Sequence, residues 1–322
     1  MWIRGFVAAA GALLFALNAS AAAQPANGVP LRIIVPYAAG GLADITARLM
    51  SEHLTPRLGQ TVIVENRPGA NGSIGTAVVA GAKPDGNTLG LVVSSHAFGK
   101  ALMPDLPFDP IKDFEPVTQA TRTATVLVAT PGLPADDIET LIAYVKQRPG
   151  ELAFASPGNG SNMHIFAEQL VEMTGLDMLH IPYKGSAAAH LDLIAGRTQI
   201  VFDTFGAVEQ HLAAGRLKLL AAGGDTRLPK YPEVRTLAEQ GLPGIHAESW
   251  GAFIAPAGTP KERIDQLHRE LTAVLQSPEI RRRLEDAGAT VVAGSPQELA
   301  ELMAKEEKKY GELIRRLNIQ LN

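Results

Sequence analysis

Two loops in this sequence carry residues suited to binding an anion. Tyr37-Ala38-Ala39-Gly40-Gly41 follows an apolar run and precedes a helical pattern at 44–58; Ser156-Pro157-Gly158-Asn159-Gly160-Ser161 stands in the same way before a pattern at 162–174. The first N–H groups of a helix lack partners within it and lie at the positive end of its dipole. Glycine lets a ligand approach them, and Ser156 and Ser161 add hydroxyl donors. An anion site and plain tight turns both remain open interpretations.

Other chemistries find little support in the motifs. Gly158-x-Gly160 lacks the third glycine of a dinucleotide fingerprint, because Met163 stands there, and Gly99-Lys100 is followed by Ala101 and not by Ser or Thr. There is no G-x-S-x-G and no H-E-x-x-H, and the eight histidines are scattered singly along the chain. We therefore predict no catalytic residue, no metal site and no cofactor.

One histidine is close enough to the second loop in the sequence to contribute to an anion site there. His164 follows that loop by one helical turn, so its ring either faces the site or has a structural role. A hydrolase that uses Ser161 and His164 is the enzymatic alternative.

Short β-rich runs alternate with helical patterns and must position these loops. This alternation predicts an α/β fold with largely parallel sheets covered by helices, and the length of 322 residues favours two lobes. The candidate strands are residues 31–35, 61–64, 89–93, 125–129, 152–155, 178–181, 199–202, 217–221, 251–255 and 290–293.

The helices near the C-terminus have clear start signals. Thr259-Pro260-Lys261-Glu262 and Ser295-Pro296-Gln297-Glu298 each predict a capping box with proline at the first helical position, and Ser277-Pro278 predicts another helix that stops near Gly288. The charge run at 305–309 is interpreted as a solvated helix face.

The N-terminus has the pattern of a secretory signal peptide. Arg4 precedes an apolar run at 6–17, and Ala21-Ala22-Ala23 gives a cleavage pattern, so we expect residues 1–23 to be removed and the mature chain to begin at Gln24. A membrane anchor is the alternative, but the run is shorter than the about 20 residues that span a bilayer.

The overall composition excludes several classes of protein. The absence of cysteine excludes disulfides, thiolate metal ligands and lipid modification of a cysteine. The formal net charge of -4, with no basic block, argues against a nucleic acid partner.

Motifs along the whole mature chain resemble one known family, the substrate-binding proteins of tripartite tricarboxylate transporters, or Bordetella uptake gene (Bug) family. They are Val35-Pro36-Tyr37-Ala38-Ala39-Gly40-Gly41-Leu42-Ala43-Asp44, Val64-Glu65-Asn66-Arg67-Pro68-Gly69-Ala70-Asn71-Gly72, Lys83-Pro84-Asp85-Gly86, Pro107-Phe108-Asp109-Pro110, Phe154-Ala155-Ser156, His180-Ile181-Pro182-Tyr183-Lys184-Gly185 and Phe253-Ile254-Ala255-Pro256-Ala257-Gly258-Thr259-Pro260. Each motif alone is weak, but their order is specific.

The resemblance implies a periplasmic binding protein-like fold in which two α/β lobes close on a ligand. Residues 30–121 plus 249–322 would form lobe I and 122–248 lobe II. It also implies that a carboxylate is held between the lobes, largely by backbone N–H groups. The ligand-binding residues it implies are Tyr37, Ala38, Ala39, Gly40, Gly41, Ser94, Ser95, Ser156, Gly158, Asn159, Gly160, Ser161, His164 and Asp203.

The partners implied are a small organic carboxylate and integral membrane transporter subunits, with a sensor protein as the alternative. The protein is expected to be a periplasmic monomer without enzymatic activity. The ligand stays open, because the stretch Ser94-Ser95-His96-Ala97-Phe98 varies within the family. Lys184 either pairs with the ligand carboxylate or is a solvated loop cation.

Overall fold

The computed structural model describes residues 28–319 and 321, so the predicted signal peptide lies outside the described residues. The strands are β1 (Leu31–Val35), β2 (Val62–Asn66), β3 (Thr88–Val93), β4 (Phe114–Ala129), β5 (Ala153–Ser156), β6 (Leu179–Pro182), β7 (Ile200–Thr204), β8 (Lys218–Ala222), β9 (Glu248–Pro256) and β10 (Thr290–Val291). The helices are α1 (Leu42–Leu58), α2 (Ser73–Ala80), α3 (Gly99–Leu102), α4 (Ile138–Lys146), α5 (Asn162–Thr174), α6 (Ser186–Ile194), α7 (Phe205–Ala213), α8 (Lys261–Leu275), α9 (Pro278–Asp286) and α10 (Pro296–Arg316).

The strands form two sheets that share β4. In the first sheet β1 runs parallel to β2 and β3, while β9 is antiparallel to both β3 and β4. In the second sheet β5 runs parallel to β6 and β7, while β7 and β8 are antiparallel to β4. The sheets are therefore mixed: their outer parts are parallel as predicted, and the strands where they meet are antiparallel.

Strand β4 passes from one sheet to the other. Residues 114–124 pair with β9, and residues 125–129 pair with β7 and β8. The register against β9 shifts between Pro116 and Thr118, where the proline cannot donate a ladder hydrogen bond. The sequence predicted only the apolar part of β4. Its first part is rich in Thr and other polar residues, so it does not look like a buried strand.

Two of the three predicted helix starts are confirmed. Ser295 and Glu298 form a full capping box, and Ser277 Oγ accepts from the Ile280 amide. The box predicted at Thr259 is wrong: α8 begins at Lys261, no side chain caps it, and Thr259 Oγ1 donates to the Pro256 carbonyl instead (2.7 Å).

Helix α10 contributes to the cores on both sheets. Leu299 and Met303 pack with Trp250 of the first sheet, whereas Tyr310 and Leu313 pack in the cluster around Phe154 of the second. The lobe boundaries predicted at 121/122 and 248/249 stay a prediction. Helix α10 packs against both sheets and so does not separate two lobes at these positions. Among the described residues, no helix is long and apolar enough to cross a membrane.

Candidate functional site

A cavity of about 220 Å³ lies where the two sheets meet, and we call it the cleft cavity. It is bordered by the loop after β1, the end of β3, the neighbouring strands β4 and β9, and the end of β7. Open α/β sheets bind ligands at the carboxyl ends of their strands. None of the lining residues is charged: Tyr37, Gly41, Leu42, Ala43, Thr46, Leu91, Val93, Thr121, Thr123, Thr204, Ser249, Trp250 and Gly251.

The N-terminus of α1 opens onto the cleft cavity. Gly41 is its N-cap residue and no side chain caps the helix, so the N–H groups of the first turn, which have no carbonyl partner within the helix, stay available. Ala38, Ala39, Gly40 and Gly41 are exposed, and Gly40 adopts φ +88° with open space where a Cβ would stand. An anion here would be held by backbone N–H groups and the helix dipole.

Asp44 stabilises this loop and does not line the cavity. Its Oδ2 atom accepts from the Gly40 amide (2.9 Å) and from Arg48 Nε (3.0 Å). The hydrogen bond from Arg48 lowers the pKa of Asp44 most strongly. The carboxylate therefore stays ionised and fixes the loop in front of the helix.

Three threonines that line the cleft cavity have hydroxyl groups with no hydrogen-bond partner among the described residues. Thr121 and Thr123 lie two residues apart on β4 and so share one face of the strand, opposite Gly251 and Ser249 of β9. Thr204 ends β7. Within the described part of the chain the hydroxyls of the three threonines make no hydrogen bond, so each can donate to or accept from a bound molecule.

Tyr37 closes the cavity beside β3. Its hydroxyl oxygen accepts from the Val93 amide (3.1 Å), and burial raises the pKa of Tyr37 to about 12. The phenol therefore stays neutral. Ser95 is buried behind Tyr37, where both line a second, much smaller cavity.

A polar junction joins helix α5 to the first sheet beside the cleft cavity. Asn162 Nδ2 donates to Ser94 Oγ (2.5 Å) and to Ser249 Oγ (3.1 Å), and all three residues are buried. Asn162 Oδ1 is buried and has no hydrogen-bond partner among residues 28–319 and 321. Ser94 thus reaches the cavity only through Ser249, and Asn162 is a residue that the motifs did not single out.

The second loop, expected to act like the first, is satisfied by its own side chains. Ser161 Oγ accepts from the His164 amide (3.2 Å) and donates to the Gly158 carbonyl (2.8 Å). The Gly160 amide donates to His164 Nδ1 (3.1 Å). Because Ser161 contacts the backbone of His164 and not its ring, the two do not form a nucleophile and base pair.

The remaining second-loop residues also lie outside the cleft cavity. Asn159 is exposed, and Ser156 is buried with its hydroxyl 2.7 Å from His180 Nε2. A Cβ on Gly160 would lie 2.6 Å from Leu321 Cδ2, so this glycine permits close packing of Leu321 against the loop.

The structure brings together a histidine pair that the sequence left scattered. Ligand atoms of His164, Glu168 and His180 all lie within 4.8 Å of one another, which corrects the expectation that no such cluster exists. The two rings stack at 3.8 Å with planes 11° apart, so their in-plane lone pairs cannot meet at one ion. Burial lowers the pKa of His180 to about 4 and favours the neutral form of that ring.

Asp203 and Lys184 do not line the cleft cavity. Asp203 is buried, and its oxygens accept from His190 Nε2 (2.9 Å) and from the Thr204 amide (2.7 Å). Lys184 is exposed and makes no ion pair in the described part of the chain. This arrangement favours the solvated interpretation of Lys184.

A second cavity, of about 450 Å³, lies behind Trp250 and Ser249 and is called the rear cavity. Its lining includes Glu306 and Lys309 of α10, so the charge run at 305–309 is not simply the solvated face that the sequence predicted. Trp250 Nε1 donates to Glu306 Oε2 (2.9 Å), and burial raises the pKa of Glu306 to about 7.

Of the residues predicted to bind ligand, only Tyr37 and Gly41 line the cleft cavity itself. The sequence reasoning missed Thr121, Thr123, Thr204, Ser249 and Trp250. Thr121 and Thr123 had one signal, the alternation Thr121-x-Thr123-x-Thr125, which places hydroxyls on one face of a strand.

The sequence matches one protein family over most of its length. A family model described as "Tripartite tricarboxylate transporter family receptor" matches residues 46–319. Protein BugT of Bordetella pertussis is 37% identical over 318 residues, which cover 98% of this chain and 96% of that protein.

Two solved structures are similar over nearly their whole length. "R. palustris Rpa4515 with adipate" is 33% identical with a TM-score of 0.79, and the match covers 91% of this chain and 98% of that one. MatC (Rpa3494) from Rhodopseudomonas palustris with bound malate is 31% identical with a TM-score of 0.77, covering 88% and 98%. These similarities confirm the predicted periplasmic binding protein-like α/β fold.

Proposed function

Because the chain belongs to the tripartite tricarboxylate transporter receptor family, we propose that it captures a small organic carboxylate in the cleft cavity and delivers it to membrane-embedded transporter subunits. The observation that carries this proposal is the uncapped N-terminus of α1, which opens onto an uncharged cavity between two sheets. The similar structures with adipate and malate support the same ligand class.

The ligand carboxylate is assigned to the first turn of α1, at Gly41, Leu42 and Ala43. The helix dipole favours the anion there, and the partner-free threonine hydroxyls receive the rest of the molecule. Strand β4 continues from one sheet into the other, so bending there opens and closes the cleft. Closure excludes water, and the lower local dielectric strengthens each hydrogen bond to the carboxylate.

Members of the family are binding proteins, and this chain is assigned the same non-enzymatic role. It carries a signal peptide at 1–23 and acts as a monomer in the periplasm. Its lobes are residues 30–121 plus 249–322 and residues 122–248. The protein first captures the ligand and then contacts the membrane-embedded transporter subunits.

A ligand that binds only the native state stabilises it, by about 2.7 kcal/mol at a hundredfold excess over Kd, and so raises the melting temperature. A thermal-shift panel of mono-, di- and tricarboxylates, acidic amino acids and sugars tests the ligand class. Shifts confined to sugars would contradict the proposal.

Gly41→Asp tests the site itself. Gly41 has the extended conformation of an N-cap residue (φ -79°, ψ 169°), and a Cβ there would approach only the Ala38 carbonyl, at 3.8 Å. Aspartate can therefore cap α1 and place its carboxylate where the ligand carboxylate is assigned. Two such charges about 4 Å apart repel by about 4 kcal/mol near a protein surface, so we expect at least a hundredfold loss of affinity.

Gly41→Ala is the matched control, since it adds a Cβ without a cap or a charge. We expect the aspartate variant to melt at or slightly above the temperature of the unliganded wild type, while calorimetry shows its binding lost. Wild-type affinity in a folded Gly41→Asp protein would show that the ligand does not bind at α1.

A further inference from the structure

The rear cavity is larger than the cleft cavity and is open to solvent. Its volume is about 450 Å³, against about 220 Å³ for the cleft cavity, and its lining includes the exposed residues Arg122, Asp225 and Gly244. Trp250 of β9 lines both cavities. Small molecules bind in cavities of about 300 to 1,000 Å³, so the rear cavity has the size of a second ligand site.

One face of helix α10 forms a wall of the rear cavity. Five residues of this helix line the cavity, and they recur every three or four positions, which places them on the same side of the helix. They are Leu302, Lys305, Glu306, Lys309 and Tyr310. The other two members of the charge run, Glu307 and Lys308, are exposed and do not belong to the lining.

Two lysines on this face have no anionic partner. Lys309 is half-buried, with its Nζ 4.8 Å from the centre of the Tyr310 ring, and burial lowers the pKa of Lys309. Lys305 is exposed one helical turn before it. Neither ammonium makes a hydrogen bond or an ion pair in the part of the chain that the structure describes. Because a desolvated cation without a partner is unfavourable, a bound anion would be stabilised beside Lys309.

The acidic side chains elsewhere in the lining are already paired. His246 Nε2 lies 3.1 Å from Glu248 Oε2, and His246 Nδ1 lies 3.0 Å from Asp225 Oδ1. Arg122 Nη1 lies 3.5 Å from Glu248 Oε2. The hydrogen bond to Glu248 raises the pKa of His246 most strongly. These two acids therefore face Arg122 and His246, and the lysines of α10 remain as unbalanced positive charge.

Glu306 can hold a proton beside such an anion. Its Oε2 accepts from Trp250 Nε1 (2.9 Å), and its Oε1 has no hydrogen-bond partner among the described residues. Burial raises the pKa of Glu306 to about 7, although Trp250, Lys309, His246 and Lys305 each lower it. A nearby negative charge would raise this pKa further. A protonated Oε1 can then donate a hydrogen bond to the anion.

We propose that the rear cavity is a second ligand site, which binds a small organic anion at Lys305 and Lys309 together with a proton on Glu306. The carbon part of the ligand lies against the apolar surface of Trp250, Leu302 and Pro243. Because binding takes up a proton, the affinity rises as the pH falls through the range in which Glu306 titrates. The site is separate from the anion position at α1 and does not depend on the proposed function.

The fluorescence of Trp250 measures binding. The chain has two tryptophans, and Trp2 lies in the predicted signal peptide, so Trp250 is the tryptophan of the mature protein. The probes are butanesulfonate and methanesulfonate, whose shared head group keeps its charge between pH 6 and pH 8. Both are titrated into wild type and into Gly41→Asp, because binding at α1 is lost in that variant and binding in the rear cavity is kept.

We expect butanesulfonate to bind at least about tenfold more tightly than methanesulfonate, because it buries three more carbon atoms. Equal affinities would overturn the placement of the carbon part. The absence of a saturable change in Gly41→Asp would overturn the site itself.

Lys305→Met and Lys309→Met test the position of the anion. Each removes one charged donor, so we expect the affinity for butanesulfonate to fall at least about tenfold. Lys308→Met is the matched control, because Lys308 lies on the same helix outside the rear cavity, and it should bind like wild type. Lys305 is exposed, so its replacement leaves the core intact even if Lys309→Met melts early. Unchanged affinity in a folded Lys305→Met protein would contradict the assignment.

Glu306→Gln tests the proton. We expect the affinity of wild type for butanesulfonate to fall about fivefold from pH 6 to pH 8, and most of this fall to disappear in Glu306→Gln. Glu307→Gln, which changes the exposed neighbour, should keep the full pH dependence. An equal fall in Glu306→Gln would overturn the role of this carboxyl group.

Discussion

Replacing Glu306 with glutamine should make the protein less sensitive to rising pH. Glu306 lies half-buried on α10 in the rear cavity, where Trp250 Nε1 donates to its carboxylate. Burial raises the pKa of Glu306 from 4.5 to about 7, and Trp250, Lys309, His246 and Lys305 only partly offset that rise. Glutamine keeps an acceptor oxygen for Trp250 and cannot ionise.

The direction of the effect follows from proton binding. Between about pH 4.5 and 7 the folded protein holds a proton on Glu306 that the unfolded chain has released. The stabilisation from this proton is fully present below the unfolded pKa and is lost as the pH rises through the folded pKa. The displacement to about 7 corresponds to at most about 3 kcal/mol, at about 1.4 kcal/mol per pH unit.

Urea unfolding of both proteins at pH 4.5 and at pH 8 measures the effect. We expect Glu306→Gln to be more stable relative to wild type at pH 8 than at pH 4.5. The difference between the two free energies of unfolding should increase by up to about 3 kcal/mol. Glu307→Gln is the control, because Glu307 is the exposed neighbour on the same helix and should give the same difference at both pH values. A pH-independent difference for Glu306→Gln as well would refute the argument from burial.

Two further predictions concern the junction and the histidine pair. Asn162→Ala removes the hydrogen bonds from α5 to Ser94 and Ser249, each worth about 1 kcal/mol. The free energy of unfolding measured by urea titration should therefore fall by about 2 kcal/mol. An unchanged midpoint would show that the junction contributes nothing to stability. Added Zn²⁺ should leave the melting temperature unchanged, because His164 and His180 stack face to face. A rise that His180→Gln abolishes would show instead that the rings rotate and bind metal.

The sequence predicted most of the regular structure because those signals are local. Each of the ten candidate strands overlaps a strand of the structure, and the helix at 162–174 has the predicted bounds. Apolar runs, a proline at the first helical position and a serine N-cap act within a few residues, whatever the rest of the chain does. The Thr259 start failed because the hydroxyl had a nearer acceptor in the Pro256 carbonyl.

The family resemblance was likewise available from the sequence and is confirmed by the match over residues 46–319. It depends on ordered motifs such as the loop at 35–44, which do not need coordinates to be recognised. The sequence also identified the first loop correctly as a helix start preceded by small residues, which lines the cleft cavity at Gly41.

Tertiary structure decided how the two similar loops differ. Their sequences carry the same elements, but the second is capped by Ser161, its Gly160 amide is taken up by His164, and Leu321 occupies the space beside Gly160. The contact with Leu321 joins residues far apart in the chain, and no local pattern reports it.

Tertiary structure also decided which side chains line the cleft cavity and which charge is buried. Thr121, Thr204 and Trp250 come from three different strands, and they meet only because β4 pairs with β9 in the first sheet and with β7 in the second. Glu306 belongs to the charge run at 305–309, for which the sequence predicts a solvated helix face. Packing of α10 against Trp250 nevertheless buries the Glu306 side chain. Spacing along the chain sets which face of a strand or helix a residue occupies, but only the packing of elements distant in sequence sets what that face meets.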